Sequence, residues 1–179
     1  MQTDPTLRDG AQAELPPEGP RRATARFMLS HPFHFVSLGF GSGLSPIAPG
    51  TVGTLFAWVS FAALAGRLTV TEWAALIVIG FFAGIGLCGF TAKKLGIGDP
   101  SPVVWDEIVA FWLVLLFVTP EPFVGQLWAF VIFRFFDMVK PPPVRYFDRR
   151  FSGGFGIMID DLVAAFLTLF VIALWRMTI

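Results

Sequence analysis

Carboxylates recur at a few places in this chain where the surrounding residues are apolar: Asp106 and Glu107, Asp137, and Asp160 and Asp161. Basic side chains stand near them at Arg134, Lys140 and Arg145, and Ser45, Thr51 and Thr54 fall in a Gly- and Pro-rich stretch, GFGSGLSPIAPGTVGT at 39–54. The acids offer oxygen ligands only, and the two histidines, His31 and His34, sit apart in an aromatic segment. An all-oxygen donor set favours a hard cation, Mg2+ above Zn2+. Asp106, Glu107, Asp137, Asp160 and Asp161 are therefore the candidate metal ligands and catalytic groups. Arg134, Lys140 and Arg145 are the candidate phosphate clamps, Arg by its planar fork and Lys as a point charge. Ser45, Thr51 and Thr54 would add hydroxyl donors where a Gly-rich loop feeds a helix amino terminus, a place that favours an anion. Adjacent carboxylates on a helix diverge by about 100°. One of each pair is thus expected to hold metal while its neighbour supports the ligands from behind or serves a basic partner. Asp137, three residues after Arg134 and three before Lys140, also suits ion pairing within its own helix.

The elements that must position these groups follow from composition. Hydrophobic residues make up 55% of the 179, 21 of them phenylalanine, and the mean hydropathy is +0.69. That exceeds the usual share of a soluble domain and indicates an integral membrane protein, in which charge is kept where it is used. Formal net charge is zero, and no nucleic-acid partner is expected. The lone Cys88 lies in an apolar run and has no partner for an intrachain disulfide. Residues 1–25, rich in Pro, Glu, Asp and Arg, read as a disordered polar tail without a cleavable signal. Residues 26–179 read as a single membrane-embedded helical domain. Five apolar segments, at 52–66, 73–92, 103–119, 122–139 and 157–175, predict an all-α bundle of about five transmembrane helices. The triple proline 141–143 should end the fourth helix after Lys140 and hold the next loop stiff, with Asp148, Arg149 and Arg150 in solvent. Gly153, Gly154 and Gly156 permit close backbone approach before Asp160.

Threading the segments back and forth puts eleven Lys and Arg on one side and only Arg67 and Arg176 on the other. The positive-inside rule then makes the amino terminus cytoplasmic and places every polar cluster on the cytoplasmic side. Depth agrees: four of the helices run only about 21 to 24 Å from their polar group to the far boundary, short of the roughly 30 Å hydrocarbon core. A shared polar layer at head-group depth suits work on a lipid phosphate.

Four blocks, GFGSGLSPIAPGT, VVWDEIVAFW, FRFFDMVKPPPVRYFDRR and GGFGIMIDDLVAA, resemble the signature blocks of the phosphatidylglycerophosphatase A family over about residues 28–179. The resemblance implies a Mg2+-dependent lipid phosphatase of the bacterial cytoplasmic membrane. Its substrate would be phosphatidylglycerophosphate in the bilayer, and its products phosphatidylglycerol and phosphate. Ala110 and Ala165 stand where the family commonly has Gly, and both are still small. A spare carboxylate would act as general base or attack directly to form an acyl phosphate. The competing class is a small transporter or channel, since intramembrane charge also builds ion pathways. Against it, the outer halves of the five segments carry no acid or base.

Overall fold

The computed structural model describes residues 22–119 and 122–178, and all regular structure among them is helical. Two short helices, α1 (Ala25–Leu29) and α2 (Pro32–Ser37), lead into a 3-10 turn over Gly39–Leu44 that kinks at Phe40 and Gly41. Five longer helices follow: α3 (Pro49–Leu64), α4 (Val70–Leu95), α5 (Trp105–Val118), α6 (Phe123–Val139) and α8 (Gly153–Arg176), with the short α7 (Pro142–Arg150) between the last two. Each of the five predicted apolar segments lies on one of the longer helices. By length and composition, α4 and α8 can cross a membrane, and α3 is a shorter apolar helix.

One expectation is corrected. The stretch after the triple proline is a helix: Pro142 occupies the first turn of α7, where a missing N–H and a fixed φ do no harm. Arg145 and Asp148 therefore lie on a helix and not in a solvated loop. The Thr24 hydroxyl accepts the Phe27 N–H and caps α1; residues 1–21, most of the stretch read as a polar tail, lie outside the described residues.

Local chemistry sets the helix ends that matter. At the start of α4 the Thr69 hydroxyl accepts from Glu72 N–H, and Glu72 accepts in return from Thr69 N–H at 2.7 Å, a reciprocal cap. Lys93 and Lys94 close the same helix against the negative end of its dipole, and Gly96 turns the chain at φ 72°. Pro49 opens α3 after Ala48 at φ 47°, and Lys140 ends α6 at φ 45°. Asp106 and Glu107 fall in the first turn of α5, where the helix dipole favours negative charge.

Helix α5 is the centre of the bundle. Ile108, Phe111, Val114 and Leu115 along it are all fully buried, with α3, α4, α6 and α8 packed around them. Ala110 and Ala165, the two departures from the family pattern, are buried in the same core. Helix α8 crosses α4 at glycine, for a Cβ on Gly154 would collide with the Ile85 carbonyl and one on Gly84 with Met158. Small residues let the two backbones meet, and this fixes Asp160 and Asp161 relative to α4 and α5.

Candidate active site and metal centre

The predicted polar layer converges on one cavity of about 300 Å3. Helix α3 contributes Thr51, α5 contributes Asp106 and Glu107, the end of α6 brings Arg134, Asp137 and Lys140, and α8 brings Asp160 and Asp161. Burial follows from that convergence: Asp106, Asp137, Asp160 and Asp161 are all buried.

Arg134 is the hub of one half. Its Nη1 lies 2.5 Å from Asp137 Oδ2, 3.2 Å from Glu107 Oε1 and 3.3 Å from Thr54 Oγ1. Thr54, fully buried, donates its hydroxyl hydrogen to the Gly50 carbonyl, leaving the oxygen to accept from Arg134. Gly50 is required at that place, since a Cβ there would strike the Glu107 carboxylate and the Arg134 guanidinium. In the other half Lys140 Nζ donates to Asp160 Oδ2 at 2.6 Å.

A third group forms between those pairs. Asp106, Glu107 and Asp161 each place a carboxylate oxygen within 4.8 Å of the others. Asp106 Oδ1, Glu107 Oε2 and Asp161 Oδ2 are buried with no hydrogen-bond partner among the described residues. Buried carboxylate oxygens left in this way are costly unless a cation or a proton meets them. Around the cavity six carboxylates, counting Asp99, face two cationic side chains, Arg134 and Lys140. An oxygen-only, net-negative cluster of this size fits a hard divalent cation such as Mg2+.

The pairs divide unevenly. On α8 they split as the helical geometry predicts, Asp161 joining the cluster and Asp160 pairing with Lys140. On α5 both acids reach the cluster, against the expectation that one would turn away. The longer Glu107 side chain bends back to it while also touching Arg134. Three predicted phosphate-binding residues, Ser45, Thr54 and Arg145, lie apart from the cavity lining. The Ser45 hydroxyl turns onto the Ile47 carbonyl at 2.8 Å, and Arg145 is exposed on α7. Thr54 contributes through Arg134, not by facing the cavity itself. Asp99 and Ser101, from the α4–α5 connection, line the cavity and were not anticipated. The only signal for them was position, in the short GDPS connector that ends four residues before Trp105.

Comparison with known proteins gives a consistent result. The family model described as Phosphatidylglycerophosphatase A matches residues 35–176. A protein of Escherichia coli named phosphatidylglycerophosphatase A is 44% identical over 142 residues, which is 79% of this chain and 82% of that protein. One of the same name from Haemophilus influenzae is 39% identical over 155 residues, 85% of this chain and 95% of that protein. A relative from Bacteroides thetaiotaomicron, 42% identical over 150 residues, carries the provisional name phosphatidylinositol-3-phosphatase and is covered to 93%. No solved structure matches.

Proposed function

The chain belongs to the phosphatidylglycerophosphatase A family and is a phosphatase, and from that premise we propose that it hydrolyses phosphatidylglycerophosphate to phosphatidylglycerol and phosphate in a Mg2+-dependent reaction. The reaction would supply phosphatidylglycerol to phospholipid synthesis. The observation that carries the reading is the buried cluster of Asp106, Glu107 and Asp161, with an orphaned oxygen on each and two cationic side chains beside it.

Asp106, Glu107 and Asp161 would hold the cation. A divalent cation bound there would supply positive charge to the phosphoryl oxygens and acidity to the attacking water. Lys140, held at the cavity wall by Asp160, presents its ammonium to the terminal phosphate. Arg134 keeps Glu107 and Asp137 in place and adds positive charge where the phosphoryl group gains negative charge. The Thr51 hydroxyl, on the first turn of α3, is a further donor at the same wall. In the reaction a water oxygen bonds to phosphorus and the phosphorus–oxygen bond to the glycerol breaks. The leaving alkoxide takes up a proton as the attacking water gives one up.

Five membrane crossings by α3, α4, α5, α6 and α8, with the amino terminus cytoplasmic, put the cavity at the cytoplasmic face of the bacterial inner membrane. Support comes from the distribution of Lys and Arg and from the apolar α4 and α8. Purified protein in detergent should release phosphate from phosphatidylglycerophosphate with Mg2+ and not with chelator, and Asp161→Asn should lose the activity. A folded wild-type protein that releases no phosphate would end this reading.

A further inference from the structure

The side chains that line the candidate active-site cavity and are still exposed are of two kinds. Asp99 and Ser101, on the α4–α5 connection, are polar; Ala48, just before α3, and Met138, near the end of α6, are apolar. Met138 is 71% exposed, so the cavity is open where α3 begins and α6 ends. A substrate with a charged end and two acyl chains needs both kinds of surface, water for the phosphate that leaves and hydrocarbon for the chains that stay. We propose that the seam between α3 and α6 is a lateral portal by which the diacyl lipid reaches the cavity, its acyl chains lying along the outer side of that seam. The inference rests on the phosphatase reading and adds a route and a chain-binding surface to it.

Helical spacing defines the seam. Gln126, Phe130 and Arg134 follow one another at four-residue steps and so share one face of α6. Gln126 accepts the Trp58 indole N–H at 2.8 Å, Phe130 stacks on the same indole with ring centres 5.8 Å apart, and Arg134 donates to Thr54 at 3.3 Å. One step further on each helix the ties stop: Met138 on α6 and Thr51 on α3 line the cavity instead. The seam is thus held together below Arg134 and parts at the mouth, with a guanidinium at the neck to meet a phosphate. The other helix seams offer no such opening, for α8 packs against both α4 and α6, and among the described residues none of α4 lines the cavity. Leu55, Leu127 and Val131 each follow a tied residue, about 100° round the helix from it, and all three are exposed. From Leu127 to Met138 the α6 helix rises about 16 Å, one leaflet of a hydrocarbon core of roughly 30 Å. A chain that starts at the mouth therefore has apolar side chains beside it through its leaflet. Lipid tails gain little by exchanging one apolar neighbour for another. The seam acts by leaving room for the chains, and filling it is the way to test it.

The test is phosphate release from phosphatidylglycerophosphate in mixed micelles by the full-length protein and three tryptophan variants. Leu55→Trp and Val131→Trp fill the seam from its two sides, and Val78→Trp makes the same change at an exposed position of α4. The seam variants should lose on the order of tenfold in kcat/KM, the scale of displacing a substrate from its reacting position. Val78→Trp should stay within about twofold, as a surface change does. All three should keep the rise in melting temperature that Mg2+ gives the wild type, which shows the cavity intact. Equal rates in the seam variants and Val78→Trp would overturn the proposal while the phosphatase reading stands. A second measurement, on the wild type, covers seam variants that do not fold. Phosphatidylglycerophosphate with a diazirine in an acyl chain is photolysed on the protein with and without excess unlabelled lipid, and the labelled peptides are mapped. Labelling that the unlabelled lipid suppresses should fall on α3 and α6; suppressible labelling confined to α4 and α8 would overturn the portal. Suppressible labelling of α3 and α6 by a wild type that releases no phosphate would keep the seam as a lipid site and end the phosphatase reading.

Discussion

At the end of the bundle away from the cavity, Trp112 donates its indole N–H to the Ala57 carbonyl at 3.1 Å and to Ser60 Oγ at 3.0 Å, and Trp58 donates to Gln126 at 2.8 Å. Phe61 stacks on Trp73 at 4.2 Å, and Trp73 meets Trp112 edge to face at 5.8 Å. At the cavity end, less than the length of α5 away, buried carboxylate oxygens of Asp106, Glu107 and Asp161 have no such partners. One end is built as an ordinary core, with polar atoms few and paired. The other concentrates like charge and leaves oxygens open, which costs stability unless a cation is bound. The difference marks the candidate site: the end that violates the packing rule is the end proposed here to bind.

The sharpest way to break that contrast is Arg134→Met. It removes the guanidinium that meets Glu107 and Asp137 and leaves both carboxylates buried among others. Losing one partner of a buried ion pair costs about 3–5 kcal/mol. Thermal unfolding should fall accordingly and activity should vanish; a variant as stable as wild type would show that the cavity is more hydrated than its burial implies.

Asp161→Asn acts on the same end in the opposite sense. It removes one charge from the crowded cluster at nearly constant volume, so the melting temperature without metal should hold or rise. Turnover should fall by about 10²-fold or more, the scale of losing one group that stabilises the transition state. Activity and stability moving together downward would mark Asp161 as structural. Metal removal is the third comparison. A bound cation at a hundred times its Kd stabilises by about 2.7 kcal/mol, so chelation should lower the wild-type melting temperature clearly and that of Asp161→Asn little.

Trp112→Phe is the control from the other end. It deletes the N–H that bonds Ala57 and Ser60 and keeps the ring, a loss of about 1 kcal/mol from a paired hydrogen bond. Stability should drop by that amount with turnover and metal response unchanged. A change in metal response would mean that the two ends are coupled through α5.

The cavity end was legible because charge in an apolar chain is conspicuous, and the far end because its apolar runs could only be helices. Arg134 and Asp137, three residues apart, pair as their spacing predicts. What escaped reading depended on side-chain reach or on chain reversal. Glu107 joins Asp106 because one more methylene overcomes the 100° divergence of neighbouring positions. Asp99 and Ser101 enter the cavity only because the α4–α5 connection folds over it, and nothing in a Gly-Asp-Pro connector states its direction. The triple proline signalled an end to α6 and equally the start of α7, and pattern alone favoured the first. Ser45 belonged to the right stretch but turned back on its own backbone.

A smaller prediction concerns a buried polar group near the cavity end that is fully paired, and so should behave like the far end. The Thr91 hydroxyl donates to Ser37 Oγ at 3.1 Å, and its oxygen accepts from His34 Nδ1 at 3.0 Å. Ser37 in turn accepts the Val104 N–H through its carbonyl at 3.0 Å, one residue before α5 begins. Burial first, and the nearby His31 and Lys94 next, hold His34 below the ordinary imidazole range. The ring is therefore neutral in the fold where a free imidazole, near 6.5, would begin to charge. Stability from this group is complete above about pH 6.5 and is lost as pH falls through that value toward the folded pKa, because the unfolded chain takes up the proton first. Melting temperatures measured from pH 7.5 down to 5.5 should fall by a few degrees more in the wild type than in His34→Gln, which cannot titrate. Parallel curves would place the acid sensitivity in the carboxylates of the cavity and return it to the unpaired end.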